Sequence, residues 1–110
     1  MKKKEKRSKH SKVVDETITL PIRDGNGILR YFLSENKKGE IVRYSFAYIN
    51  PNFFGKDNGR VLGFDNCHGF HHRHRMGHIE KIVFHSYEEI VNRFETEWRA
   101  LHEKVKERKH

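Results

Sequence analysis

Cysteine is nearly absent: Cys67 stands alone among 110 residues. An intrachain disulfide is excluded, and so is a cysteine-based zinc finger or ribbon. Such usage fits a reducing compartment, so a cytoplasmic protein is expected. Long apolar runs are missing too. The longest stretch without a formal charge, Tyr44 to Gly55, contains Asn50, Pro51 and Asn52. A membrane-spanning helix needs about 20 apolar residues, so no membrane partner is expected. The N-terminus starts basic with no apolar stretch behind it, and a signal peptide is not expected. Apolar residues are few overall, 35% of the chain against 35% charged. The core must therefore be modest and aromatic, built on 8 Phe, 4 Tyr and 1 Trp. The length suits a single domain.

What is abundant is positive charge, a net +8. It is unevenly placed. Lys2, Lys3, Lys4, Lys6, Arg7, Lys9 and Lys12 face only Glu5 in the first twelve residues, and the rest of the chain is nearly balanced. Residues 1–12 read as a disordered basic tail, and 13–108 as a single α+β domain. The tail would favour nucleic acid or another polyanion without sequence preference, or would simply solubilise the protein.

Strand patterns follow. Val14, Ile18, Leu20 and Ile22 share one parity from Val13 to Ile22. Asp24-Gly25-Asn26-Gly27 signals a hairpin turn. Ile28–Ser34 and Glu40–Asn50 read as strands, the latter with Val42, Tyr44, Phe46 and Tyr48 on one face. Arg60–Asn66 is a fourth, with Leu62 and Phe64 inward, and Ile79–His85 a fifth. Then the period changes. Ser86 and Glu89 form a capping box, and Tyr87, Ile90, Val91, Phe94, Trp98, Leu101 and Val105 make one helical stripe. The expectation is an antiparallel β-meander of four to five strands packed against one long C-terminal helix. One helix covers one sheet face. The other would present Arg30, Arg43, Ser45 and Asp65, or would close a homodimer.

The unusual chemistry lies between Phe64 and His78, where five of nine histidines fall within eleven positions. Three readings stay open. In the first, imidazoles do acid–base work on RNA, one accepting and one donating a proton. His72 and His74 are the candidates, with His68 nearby. Asp65 would orient a histidine, and Arg73, Arg75, Arg30 or Arg43 would meet phosphate. Alternation along a strand puts His72 and His74 on one side and Arg73 and Arg75 on the other. In the second, His72-x-His74 pairs with His68, His78 or Asp65 around a metal. In the third, the segment is a polar hairpin or a partner-binding surface. No cofactor is required by any spacing in the chain.

Asp65-Asn66-Cys67-His68-Gly69, then His72-Arg73-His74, Gly77, Ile82-Val83-Phe84, Ser86-Tyr87-Glu88-Glu89 and Phe94 resemble the TumE family, the toxins of two-gene toxin–antitoxin modules. The resemblance is carried by Arg60 to Leu101. It implies the toxin of a type II module, acting on RNA, with a helix-turn-helix antitoxin as partner. Asp65, His68, His72, Arg73 and His74 match its motif. The basic tail, with Lys2, Lys3 and Lys4 as nucleic-acid contacts, and Cys67 between Asn66 and His68 depart from it. Against this reading stand a non-catalytic nucleic-acid- or protein-binding module and a histidine-based metal protein.

Overall fold

The computed structural model describes residues 12–108. The basic tail, Lys2, Lys3 and Lys4 included, lies outside them apart from Lys12. Strands β1 (Lys12–Thr19), β2 (Ile28–Glu35), β3 (Ile41–Ile49), β4 (Arg60–Asp65), β5 (His72–Arg75) and β6 (His78–Lys81) form one antiparallel sheet in sequence order. Helix α1 (Tyr87–Arg108) follows. The α+β meander is as expected, but it has six strands rather than four to five.

The difference lies in the histidine segment. The expected fifth strand, Ile79–His85, is instead the second arm of a hairpin, and it stops at Lys81. The first arm is His72–Arg75, whose alternating histidines and arginines carry no hydrophobic signal. Met76 and Gly77 join the arms with φ of 48° and 86°. Two positive φ values suit a two-residue hairpin turn, because they match the twist of the flanking strands. The usual Asn-Gly signature is missing there, since Met takes the first position.

Alternation then sorts the side chains. Leu29 pairs with Tyr48 and Tyr48 with Leu62; Tyr31 pairs with Phe46 and Phe46 with Phe64. Residues directly opposite share a face, so these rows make one apolar surface. Ile90, Phe94, Trp98, Leu101 and Val105 of α1 cover it and are buried. The rings meet edge to face, Phe94 against Tyr31 at 5.5 Å and against Phe64 at 6.3 Å. Ser86 caps the helix, its Oγ accepting from the Glu89 N–H at 3.1 Å. At the far end, Val105 sits so close to Gly25 that a Cβ there would lie 2.4 Å from Val105 Cγ1. That glycine, with φ 103°, lets the β1–β2 turn lie against the helix end. Among the described residues, no helix lies on the second face of the sheet.

Candidate active site on the uncovered sheet face

The uncovered face is built from two adjacent rows. One runs Thr17, Arg30, Ala47, Gly63, His74, Ile79, and the other Asp15, Phe32, Ser45, Asp65, His72, Lys81. Ala47 and Gly63 leave the middle of the first row almost without side chain. Arg60, from the start of β4, fills part of that space: a Cβ on Gly63 would lie 2.8 Å from Arg60 Cδ. Arg30, Phe32, Ser45, Ala47, Asp57 and Arg60 are among the residues lining a depression of about 410 Å³ here.

Asp65 is the hub. Its Oδ2 lies 2.9 Å from His74 Nε2 and 4.0 Å from an Arg60 guanidinium nitrogen. Its Oδ1 accepts the Cys67 backbone N–H at 3.0 Å and lies 3.7 Å from His72 Nδ1. The carboxylate is thus both a turn former and an anchor for histidine. The two imidazoles differ. His74 is buried, with its Nδ1 enclosed and without a hydrogen-bond partner. Burial, helped by the Arg60 charge, lowers its pKa despite Asp65. His74 is therefore neutral near pH 7, donating from Nε2 to the carboxylate. His72 is half-buried, its ring centroid 6.1 Å from that of His74. With Nδ1 turned toward Asp65, its Nε2 is the atom left to meet a ligand.

The other residues singled out from the sequence fall elsewhere. Arg73 lies on the helix side, opposite Phe64. Glu97 of α1 and Glu80 of β6 hold it at 2.7 and 3.3 Å. It ties the helix to the hairpin and does not meet His72 or His74. Arg75 shares that side, opposite Leu62, and is exposed. Arg43 reaches the Cys67 thiol at 3.3 Å. It lines a separate depression with Asn66, His68 and His71. His68 is exposed there and takes the left-handed conformation, φ 64°. Asn66, a turn former by type, instead bonds the Tyr44 N–H and the Val42 carbonyl, fastening the end of β4 to β3. Arg30 is exposed on the right face, but β2 and β5 are three strand spacings apart, roughly 14 Å.

Two features had no plain signal in the sequence. Arg60 reads as the first residue of a strand. Only its path over Gly63 brings it to Asp65, and Gly63 was the available hint. His71 stacks on Phe84 at 4.3 Å, and its Nδ1 shares a hydrogen bond of 3.0 Å with the Tyr44 hydroxyl. Burial, then the Asp65 charge, raises the Tyr44 pKa, so the hydroxyl stays protonated. Among the described residues, no three His, Cys, Asp or Glu side chains converge as metal ligands.

The family model described as Toxin TumE matches residues 3–103. The chain belongs to the TumE toxin family. No curated protein and no solved structure matches it significantly. The TumE match extends beyond the motif-bearing stretch Arg60–Leu101, across β1–β3 and into the basic N-terminal segment. That segment, read from the sequence as a departure from the family, thus lies inside the matched region from residue 3. Membership of a toxin family implies an antitoxin partner in general terms. Among the described residues of this TumE chain, no helix is long and apolar enough to cross a membrane.

Proposed function

We propose that this TumE-family toxin cleaves RNA on the uncovered sheet face, with His72 moving the proton. The observation that supports it best is the Asp65 carboxylate set between His72 and His74, with Arg60 beside it, on a face that no helix of the described residues covers. His72 Nε2 takes the proton of a ribose 2′-hydroxyl. The 2′-oxygen attacks the adjacent phosphorus, and the bond from phosphorus to the 5′-oxygen breaks. The imidazolium of His72 returns the proton to that leaving oxygen, and a 2′,3′-cyclic phosphate remains. Asp65, 3.7 Å from His72 Nδ1, stabilises the imidazolium by its charge while it exists. Arg60, held in place by a two-point pair with Asp57 at 2.9 and 3.2 Å, offers its guanidinium to the phosphorane from beside that carboxylate. His74, neutral and enclosed, holds the Asp65 carboxylate in place. Arg30, across the trough of Ala47 and Gly63, meets a phosphate further along the strand.

The partner in this reading is a helix-turn-helix antitoxin, a proposal that rests on the family resemblance alone. The test uses purified protein and a single-stranded RNA, beside the same sequence with 2′-deoxy sugars. Cleavage of the RNA only, ending in cyclic phosphate and lost in His72→Ala, is the expected result. Binding without turnover by well-folded protein would make the chain an interaction module instead.

A further inference from the structure

Phe70 is 47% exposed, an apolar ring left in solvent directly beside the proposed site. It follows Gly69, whose φ of 80° turns the chain into β5. Its ring meets the His72 ring edge to face, 5.7 Å between centroids at 71°. The Lys81 ammonium stands 4.5 Å over the same ring, and Lys81 is the register partner of His72. The three side chains therefore share the uncovered face. Asp65, the carboxylate next to His72, is already engaged by His74 and by the Cys67 N–H.

An exposed aromatic flanked by a lysine and a histidine has the chemistry of a single-stranded nucleic-acid platform. Bases stack on the ring regardless of sequence, and the cation takes the phosphate. A duplex would keep its bases stacked inside and leave the ring unused. We infer that Phe70 stacks a base of single-stranded RNA next to the phosphate addressed by His72, with Lys81 moving from the ring to the neighbouring phosphate. The inference rests on the reading of the face as an RNA site and names the form of the substrate.

The experiment measures binding of a short fluorescein-labelled oligouridine with 2′-O-methyl groups, which keeps bases and phosphates but cannot be cleaved. An abasic oligomer of equal length and charge is the second probe. Stacking on an aromatic side chain corresponds to roughly 5- to 150-fold in affinity. Wild-type protein is expected to bind the abasic probe more weakly by a factor in that range. Phe70→Ala should weaken binding of oligouridine similarly and lose nothing more with the abasic probe, while Phe70→Trp retains binding. Equal affinity of the wild type for both probes overturns the stacking role and leaves the His72 reading intact, because that reading needs only ribose and phosphate. Failure of the wild type to bind either probe overturns both.

Discussion

His74 Nε2 lies 2.9 Å from Asp65 Oδ2, although the two residues are not register partners. Asp65 faces His72, and His74 faces Gly63. The diagonal bond forms because both side chains point to the uncovered face one diagonal step apart, a distance their combined reach spans. One carboxylate can then serve both histidines of β5, and this asymmetric trio is the centre of the functional reading.

Removing the proposed proton carrier should be costly without unfolding the protein. His72→Ala is expected to lower RNA cleavage by about 10²- to 10⁴-fold, the usual contribution of a positioned acid–base group. Asp65→Asn should fall in the same direction, since it leaves His72 without its counter-charge. Initial rates on a defined RNA, with circular dichroism as a check on folding, measure both. Unchanged rates in folded His72→Ala would remove it from the mechanism.

His74 should behave differently. Replacing it with Ala leaves a buried carboxylate short of a donor, which costs about 1–3 kcal/mol. Urea denaturation is expected to show that loss in His74→Ala, with a smaller one in His72→Ala, whose imidazole has no hydrogen bond to the carboxylate. Equal losses would contradict the difference in burial.

Arg73 is expected to stabilise and not to catalyse. It joins Glu97 and Glu80 across the helix-side face. Arg73→Met should lower stability by about 1.5–3 kcal/mol, the range for hydrogen bonds to charged groups. Cleavage per folded molecule should stay close to wild type. A specific activity reduced as strongly as in His72→Ala would place Arg73 at the phosphate after all.

Stability should decline in mild acid. Burial lowers the pKa of His71, His74 and His102 below the ordinary 6.5. The unfolded chain therefore takes up protons before the folded one does. The stabilisation is complete above about pH 6.5 and is lost as pH falls toward and through the folded pKa values. His102 Nδ1 meets the buried Tyr48 hydroxyl at 2.7 Å, so its protonation would oppose that contact unless the tyrosine turned its proton away. Denaturation midpoints should be lower at about pH 5.5 than at about pH 8. The gap should narrow in His102→Gln.

The apolar alternation of β1 to β4 and the stripe from Tyr87 to Val105 made most of the fold legible in the sequence. Tyr44, Phe46, Tyr48, Leu62 and Phe64 face the helix because every second position is apolar. The β5–β6 hairpin was one of three readings left open for the histidine segment, and nothing singled it out, because His72-Arg73-His74-Arg75 alternates two polar types and Met76 hides the turn. The opposite directions of His72 and Arg73 did follow from strand geometry. The approach of Arg60 to Asp65 did not, because it depends on the bulge between Tyr48 and Ile49 and on the missing side chain of Gly63. The segregation of His68 and Arg43 into another depression depends on the left-handed turn at His68, which residue type alone does not announce.

The central claim is that His72 carries the toxin's chemistry, and induced expression in a bacterial host tests it most directly. Growth and total RNA integrity are followed together for the wild type and His72→Ala at matched soluble levels. Growth arrest with RNA decay in the wild type, both lost in the folded variant, is the predicted result. Arrest with intact RNA, or undiminished RNA decay in His72→Ala, would contradict the account.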